Sequence, residues 1–249
     1  MDLQKIEKQI VKIVKRASKI YFGKEFYEVE EKHKHPKDDV TNNDIKTQSY
    51  IRSALLKLIP NSCFIGEEGD NKETDNEYRW ILDPIDGTRN YKKSIPLYAT
   101  QLALQKNNET IFSVIYFPEF NELYVANQKG ATFNGKPIQV TTTEELDWAV
   151  TCLSNISSVS SKKQAEFQVK LMQNLRSVRL FGCMAYNFAI VGRGKMDALV
   201  VFGNTLWDFE PGMFLVKQCG GEIYYNKKYD MYIAANSKLV GEIKNLLEV

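Results

Sequence analysis

The sequence predicts an α+β protein in which a helix pair and an antiparallel sheet precede an alternating α/β half. Three observations carry this reading. Apolar residues recur at helical spacing over residues 3–20 and again over 43–59. Between residues 97 and 126, short runs rich in β-branched and aromatic residues follow one another across turn residues. From Trp148 onward, strand-like and helix-like runs alternate. A soft boundary falls near residue 145, giving segments 1–145 and 146–249 that are expected to form one integrated fold.

The first helix places Leu3, Ile6, Ile10, Ile13, Val14, Ala17 and Ile20 on one face and ends near Gly23. Lys5, Lys8, Lys12, Lys15 and Lys19 read as its wet face. Residues 24–39 are polar and are expected to form a loop or ribbon. The second helix runs from about Asn43 to Ile59, with Ile51, Ala54, Leu55 and Leu58 inward and Pro60 as its stop. Cys63-Phe64-Ile65 reads as a short strand leading to Gly66-Glu67-Glu68-Gly69, followed by a polar loop at 70–77. Strands are expected at 97–105, 110–117 and 122–126, with turns at Asn107-Asn108 and Pro118-Glu119 and a tight hairpin at Asn134-Gly135. In the second half, strands fit at 148–153, 177–181, 196–202, 221–225 and 231–234, and helices at 161–175, 184–192, 208–218 and 237–247.

The stretch Tyr78 to Tyr91 is where chemistry concentrates. An apolar strand, Trp80-Ile81-Leu82, runs into Asp83, turns through Pro84-Ile85, presents Asp86 and turns again at Gly87-Thr88. Two carboxylates leaving one strand end repel each other unless a cation joins them. Glu67 and Asp208 also stand at the end of an expected strand or the start of an expected helix. Alone, each acid could be a cap or turn residue, and Asp208 could simply cap the helix that follows it. Together they form an all-oxygen donor set, which suits Mg²⁺ better than zinc. The chain has only two histidines, His33 and His35, both in the polar loop, so a zinc site or a Ser/Cys/His triad is not credible. Gly192-x-Gly194 lacks the rest of a dinucleotide fingerprint and reads as a helix end.

Composition narrows the classes. A net charge of +2 gives no electrostatic drive toward nucleic acid or a membrane surface. The four cysteines, Cys63, Cys152, Cys183 and Cys219, form no CxxC pair and read as reduced, buried thiols. Lysines interrupt the apolar residues at the N-terminus, so no signal peptide is read there, and no run approaches the roughly 20 apolar residues a membrane span needs. A soluble, cytoplasmic protein is expected.

Gly66-Glu67-Glu68, Asp83-Pro84-Ile85-Asp86-Gly87-Thr88 and Trp207-Asp208-x-x-Pro211-Gly212, with Gly220-Gly221 beyond, resemble the motifs of the inositol monophosphatase family. That family belongs to the Mg²⁺-dependent, lithium-sensitive phosphatases. Asp38-x-Val40-Thr41-x-x-Asp44 resembles its upstream motif, and Gly182-Cys183-Met184-Ala185 resembles its Gly-Ser-x-Ala segment less closely. The motifs stand in family order across residues 38–221. The resemblance implies a layered αβαβα sandwich of the sugar-phosphatase type, commonly a homodimer, acting on a small phosphorylated metabolite with two or three Mg²⁺ per site. It implies that Glu67, Asp83 and the carbonyl of Ile85 hold one cation, and that Asp83, Asp86 and Asp208 hold a second. Thr88 and Asp44 would orient and activate the attacking water, and the amides of Gly87 and Thr88 would contact phosphate. Gly182, Ala185 and the position of Val201 would line the substrate pocket.

Two positions depart from the family pattern. Val201 stands seven residues before Asp208, where inositol phosphatases carry a Glu that contacts a ring hydroxyl, and Cys183 stands where a hydroxyl is usual. The expected activity is therefore inositol monophosphatase-like phosphomonoester hydrolysis, with myo-inositol 1-phosphate not expected to be the best substrate. Histidinol phosphate, a sugar phosphate such as fructose 1,6-bisphosphate, a glycerophosphate and 3′-phosphoadenosine phosphate stay open. So does a regulatory protein that binds RNA or a transcription complex and keeps a secondary phosphatase activity, although the near-neutral charge does not favour nucleic acid.

Overall fold

The computed structural model describes residues 3–26, 39–69, 71, 76–155, 161–203 and 205–249. His33, His35 and Asp38, and most of the polar loops expected at 24–39 and 70–77, lie outside the described residues. In chain order the first half contains α1 (Leu3–Ala17), α2 (Asn42–Leu58), β1 (Cys63–Gly66), β2 (Tyr78–Asp86) and α3 (Thr88–Lys92). Then come β3 (Ala99–Lys106), β4 (Glu109–Phe117), β5 (Glu122–Asn127), β6 (Gly130–Phe133) and β7 (Lys136–Pro137). The second half contains β8 (Val150–Asn155), α4 (Lys162–Asn174), β9 (Ser177–Arg179), α5 (Met184–Gly192), β10 (Ala198–Phe202), α6 (Leu206–Gln218), β11 (Glu222–Asn226), β12 (Met231–Ala235) and α7 (Ser237–Leu247).

Strands β1 to β7 form one sheet in sequence order; β1 pairs parallel with β2, and every later neighbour is antiparallel. The second sheet has the order β11-β12-β10-β8-β9. Side chains alternate across each strand, so both faces of both sheets need a cover. On the first sheet, Trp80, Leu82, Leu102, Leu104 and Val114 pack against Ile10, Val14, Ile51 and Leu55 of α1 and α2. Its other face, through Ile115, Phe117, Tyr124 and Ala126, meets Ala185, Ala189, Phe214 and Leu215 of α5 and α6. On the second sheet, Leu199 and Val201 of β10 face the same two helices. Ala198, Val200 and Phe202 face α4 and α7 instead. The result is the expected αβαβα sandwich, with α5 and α6 shared by the two sheets.

Local chemistry explains most element ends. On α1, Ile6, Ile10, Val14 and Ala17 are buried while Lys5, Lys8, Lys12 and Lys19 are exposed, as the helical spacing predicts. A 3₁₀ turn at Ser18–Ile20 extends it toward the expected end. Thr41 and Asp44 form a reciprocal capping box at the start of α2. Asn107 and Asn108 both take left-handed φ (51° and 65°), as do Asn134 and Gly135 (47° and 79°), the pattern a two-residue hairpin turn demands. The tight hairpin expected at Asn134-Gly135 joins β6 to β7, and β6 pairs on its other side with β5. The strand expected from Trp148 begins at Val150, since Trp148 closes a 3₁₀ turn and is largely exposed. The strand expected to reach residue 181 stops at Arg179: β9 is a sheet edge and pairs with β8 over only three residues. Among the described residues, no helix is long and apolar enough to cross a membrane.

Close approach of α5 and α6 depends on Gly212, where a Cβ would lie 2.3 Å from Phe188 Cδ2 and 2.6 Å from its Cβ. Those atoms lie near the root of a buried ring and cannot swing aside. Gly212→Ala should therefore lose about 1–3 kcal/mol to overpacking, outweighing the roughly 1 kcal/mol that alanine ordinarily adds inside a helix. Urea unfolding should show a lower midpoint; a raised midpoint would refute this account of the helix contact.

Candidate metal centre and active site

In a regular strand, residues three apart point to opposite faces, so Asp83 and Asp86 should diverge. They do not, because β2 carries an irregularity between them. Asp83 pairs with Gln101 and Asp86 with Ala99, so three steps on β2 match two on β3. The extra residue is a bulge, and it turns both carboxylates the same way. Pro84 in the bulge lacks an N–H, and its carbonyl accepts from the Thr100 hydroxyl at 2.8 Å. That hydroxyl also lies 2.9 Å from Tyr21 Oη, which ties the end of the first helical segment beneath the turn. The Ile85 amide donates to Asp83 Oδ1 at 3.0 Å, and the Ile85 carbonyl accepts from Thr88 Oγ1 at 2.8 Å.

Two further elements bring acids to this bulge. The Glu67 amide bonds to the Leu82 carbonyl at 3.2 Å, extending the β1–β2 pairing and setting Glu67 beside Asp83. Asp208 comes from the first turn of α6. The N-cap of α6 is Thr205, so Asp208 does not cap the helix; it is the third helical residue, and the Thr205 hydroxyl bonds to its Oδ2. Gln101 Nε2 donates to the Asp208 carbonyl at 3.3 Å, joining α6 to the strand opposite Asp83. Asp83, Asp86 and Asp208 each offer one oxygen, and these oxygens lie within 4.8 Å of one another. Burial, reinforced by mutual repulsion, holds the Glu67 and Asp83 carboxyls well above the usual carboxylate range. Burial and the charge of Asp86 push Asp208 up to about 7. Asp86 is raised by burial as well, against the pull of donors from Cys183, Ala185, Met184 and Gly87.

Asp44 and Thr88 meet at the rim of this cluster. The Thr41 amide donates to Asp44 Oδ2 at 2.9 Å and the Thr41 hydroxyl bonds to the same oxygen. Asp44 Oδ1 is left 3.4 Å from Thr88 Oγ1. Burial pushes the Asp44 carboxyl up to about 6. Gly87 adopts φ +85°, and a Cβ there would sit 2.7 Å from the Leu97 carbonyl oxygen, so only glycine fits the turn before Thr88. Asn90 Nδ2 spans the carbonyls of Leu97 and Phe181, holding the loop before α5 against α3.

The structure brings Glu67, Asp83, Ile85, Asp86, Asp208, Asp44, Gly87 and Thr88 together. It treats the expected substrate residues differently. Gly182 is exposed beside Asn90 with φ +71°. The Ala185 amide is already committed to Asp86 Oδ2 and the residue is buried, so it braces an acid and presents nothing to a substrate. Val201 is wholly buried among Met184, Phe188, Phe209 and Val216, because strand alternation turns it into the α5–α6 layer. Motif reading passes over Thr205, Thr100, Tyr21 and Gln101. Only Thr205 has a usable signal: Thr205-x-x-Asp208 repeats the capping spacing of Thr41-x-x-Asp44.

Buried like charges at this density are tolerated only with bound protons or cations, and a cluster of hard carboxylate oxygens fits a divalent cation. Comparison with known proteins agrees. The profile of the inositol monophosphatase family matches residues 2–248. An inositol-1-monophosphatase of Rhizobium meliloti is 32% identical over 193 residues, covering 76% of this chain and 72% of that protein. A fructose-1,6-bisphosphatase/inositol-1-monophosphatase of Thermotoga maritima is 33% identical over 188 residues, covering 75% and 71%. The Nus factor SuhB of Escherichia coli is 33% identical over 199 residues, covering 78% and 74%. Among solved structures, the extragenic suppressor protein suhB of Bartonella henselae superposes with a TM-score of 0.89 at 25% identity over 98% of both chains. The Thermotoga maritima IMPase gives 0.85 at 26% identity over 98% of this chain and 97% of its own. Fold and carboxylate cluster thus define a metal-dependent phosphatase, a phosphoric monoester hydrolase. The chain belongs to the inositol monophosphatase family.

The raised carboxyls set the pH behaviour of the metal-free protein. An acid whose folded pKa is raised leaves stability intact below its unfolded pKa of about 4 and removes it as pH climbs through the folded value. With Asp44 at about 6 and Asp208 at about 7, EDTA-treated protein should lose stability between pH 4 and 7. Saturating Mg²⁺ should then raise Tm by about 5–10 °C at pH 8 and by much less at pH 5. Equal shifts at both pH values would refute the assignment of these acids to a cation site.

Proposed function

We propose that the chain is a Mg²⁺-dependent phosphomonoesterase acting on a small phosphorylated alcohol, with myo-inositol 1-phosphate not its best substrate. The observation that carries this reading is the convergence of Asp83, Asp86 and Asp208 oxygens within 4.8 Å, with Glu67 alongside. Four carboxylates call for two divalent charges, and an all-oxygen set favours Mg²⁺. Glu67, Asp83 and the Ile85 carbonyl would hold one ion, and Asp83, Asp86 and Asp208 the other, with Asp83 shared. When bound, the ions lower the pKa of a coordinated water and neutralise charge on the phosphate and the departing oxygen.

The protein's own residues then have separate tasks. Thr88 Oγ1, whose single proton lies on the Ile85 carbonyl at 2.8 Å, would turn it to the Asp44 carboxylate at 3.4 Å once that carbonyl is engaged elsewhere, leaving an oxygen lone pair to accept a proton from the attacking water. Asp44, pushed to about 6, is near the range where a general base works best at neutral pH. The amide of Thr88 would face the phosphate in this reading, at a turn that the left-handed Gly87 shapes while its own amide supports Asp86. Cys183 is buried against Asp86 and Val201 is buried in the α5–α6 layer, so neither offers a polyol ring a polar partner. The family's habit and the four free, buried cysteines support a cytoplasmic homodimer.

The name Nus factor, borne by one relative, raises a regulatory role, but the net charge of +2 offers no basis for nucleic-acid binding. The deciding measurement is phosphate release from inositol 1-phosphate, fructose 1,6-bisphosphate, histidinol phosphate, glycerophosphate and 3′-phosphoadenosine phosphate, with Mg²⁺ and with EDTA. Release should require Mg²⁺, and inositol 1-phosphate should not rank first. Losing an outer partner of a metal ligand typically costs about 10–100-fold, so Asp86→Asn should lose at least about 100-fold. Unchanged turnover in that variant would sink the metal assignment.

A further inference from the structure

We propose that Cys183 is a positioning residue for the metal centre: its thiol holds one oxygen of Asp86 so that the other faces the cations. The inference rests on the reading of Asp86 as a cation ligand. Cys183 is buried, and its Sγ lies 3.0 Å from Asp86 Oδ2. The Ala185 amide donates to the same oxygen. A carboxylate oxygen has two in-plane lone pairs, which these two donors can fill, and the Met184 and Gly87 amides add to the hold on the same carboxylate. Cation binding is thereby left to Oδ1, and the carboxylate cannot rotate to bind through both oxygens without breaking two hydrogen bonds.

The geometry of α5 explains why the side chain is available for this. Cys183 is the N-cap residue of α5, in extended conformation (φ −144°, ψ 118°), yet it makes no side-chain capping bond. The second helical amide, that of Ala185, is capped by Asp86 from across the fold. A serine hydroxyl at this N-cap could accept from a helix amide and still donate its single proton to Asp86, whereas the thiol, a poor acceptor, makes only the outward bond. Cys183 is also held sterically. The position of a Cβ on Gly87 is 3.2 Å from Cys183 Cβ and 3.4 Å from its Sγ, so the thiol rests on the face that Gly87 leaves bare. A swing away from Asp86 would leave a void beneath the Gly87 turn.

The test separates donor from filler. Mg²⁺ binding to EDTA-stripped protein is measured by titration calorimetry for wild type, Cys183→Ala, Cys183→Val and Cys183→Ser. Cys183→Ala and Cys183→Val, which lose the donor, should bind Mg²⁺ about 10-fold more weakly. Cys183→Ser, which keeps a donor, should stay within about 3-fold of wild type. In turnover, the Mg²⁺ midpoint should shift by the same factor while the substrate KM at saturating Mg²⁺ stays put. Wild-type affinity in both donor-less variants, or an equal loss in Cys183→Ser, would overturn the proposal while leaving the metal reading intact. Failure of both donor-less variants to fold would also overturn it, by showing a structural role alone. Absence of Mg²⁺ binding by the wild type would instead overturn the metal reading itself.

Discussion

The structure is organised around electrostatic repulsion that the fold itself creates. Glu67, Asp83, Asp86 and Asp208 come from the ends of β1 and β2 and the start of α6, and all four carboxyls are raised above their ordinary range. Such a concentration of acid costs stability in an empty protein. Three of the acids are held by bonds from outside the cluster: Thr205 on Asp208, the Ile85 amide on Asp83, and Cys183 and Ala185 on Asp86. Held by these bonds, the cluster is preorganised for a cation.

The layers serve this arrangement. Helix α6 packs on the first sheet through Phe214 and Leu215 and on the second through Phe209 and Val216. Asp208 is therefore positioned by two sheets at once, and Gln101 fixes its backbone to the strand opposite Asp83. Helix α5 is held in the same way and delivers its N-terminal amides to Asp86. The shared central layer is the reason acids from both halves of the chain can meet at one point. A cluster built on rigid element ends keeps its geometry better than one carried on loops.

Much of the fold was legible because its signals are local. The period of α1, the Asn107-Asn108 and Asn134-Gly135 turns and the alternation after Val150 each follow from a few neighbouring residues. The misplaced boundaries have a tertiary cause. Strand β9 stops early because it has one neighbour, and the strand expected from Trp148 starts late because Trp148 closes a 3₁₀ turn. At the site, the acids and Thr88 were readable from motif spacing, but their supports were not. Gln101, Thr100 and Tyr21 are ordinary in sequence and acquire meaning only when strands and helices distant in the chain meet.

By itself, then, the sequence determined the candidate groups and, through their resemblance to a known family, the class of chemistry. It could do so because Asp83-Pro84-Ile85-Asp86-Gly87-Thr88 packs donor, bulge former and turn glycine into adjacent positions. Only the tertiary structure decided where those groups point. The bulge turns Asp83 and Asp86 to one side, the sheet register places Val201 inside the core, and the start of α5 commits Ala185 and Cys183 to Asp86. Direction in a protein is set by pairing register and packing between distant segments, and no local run of residues contains that information.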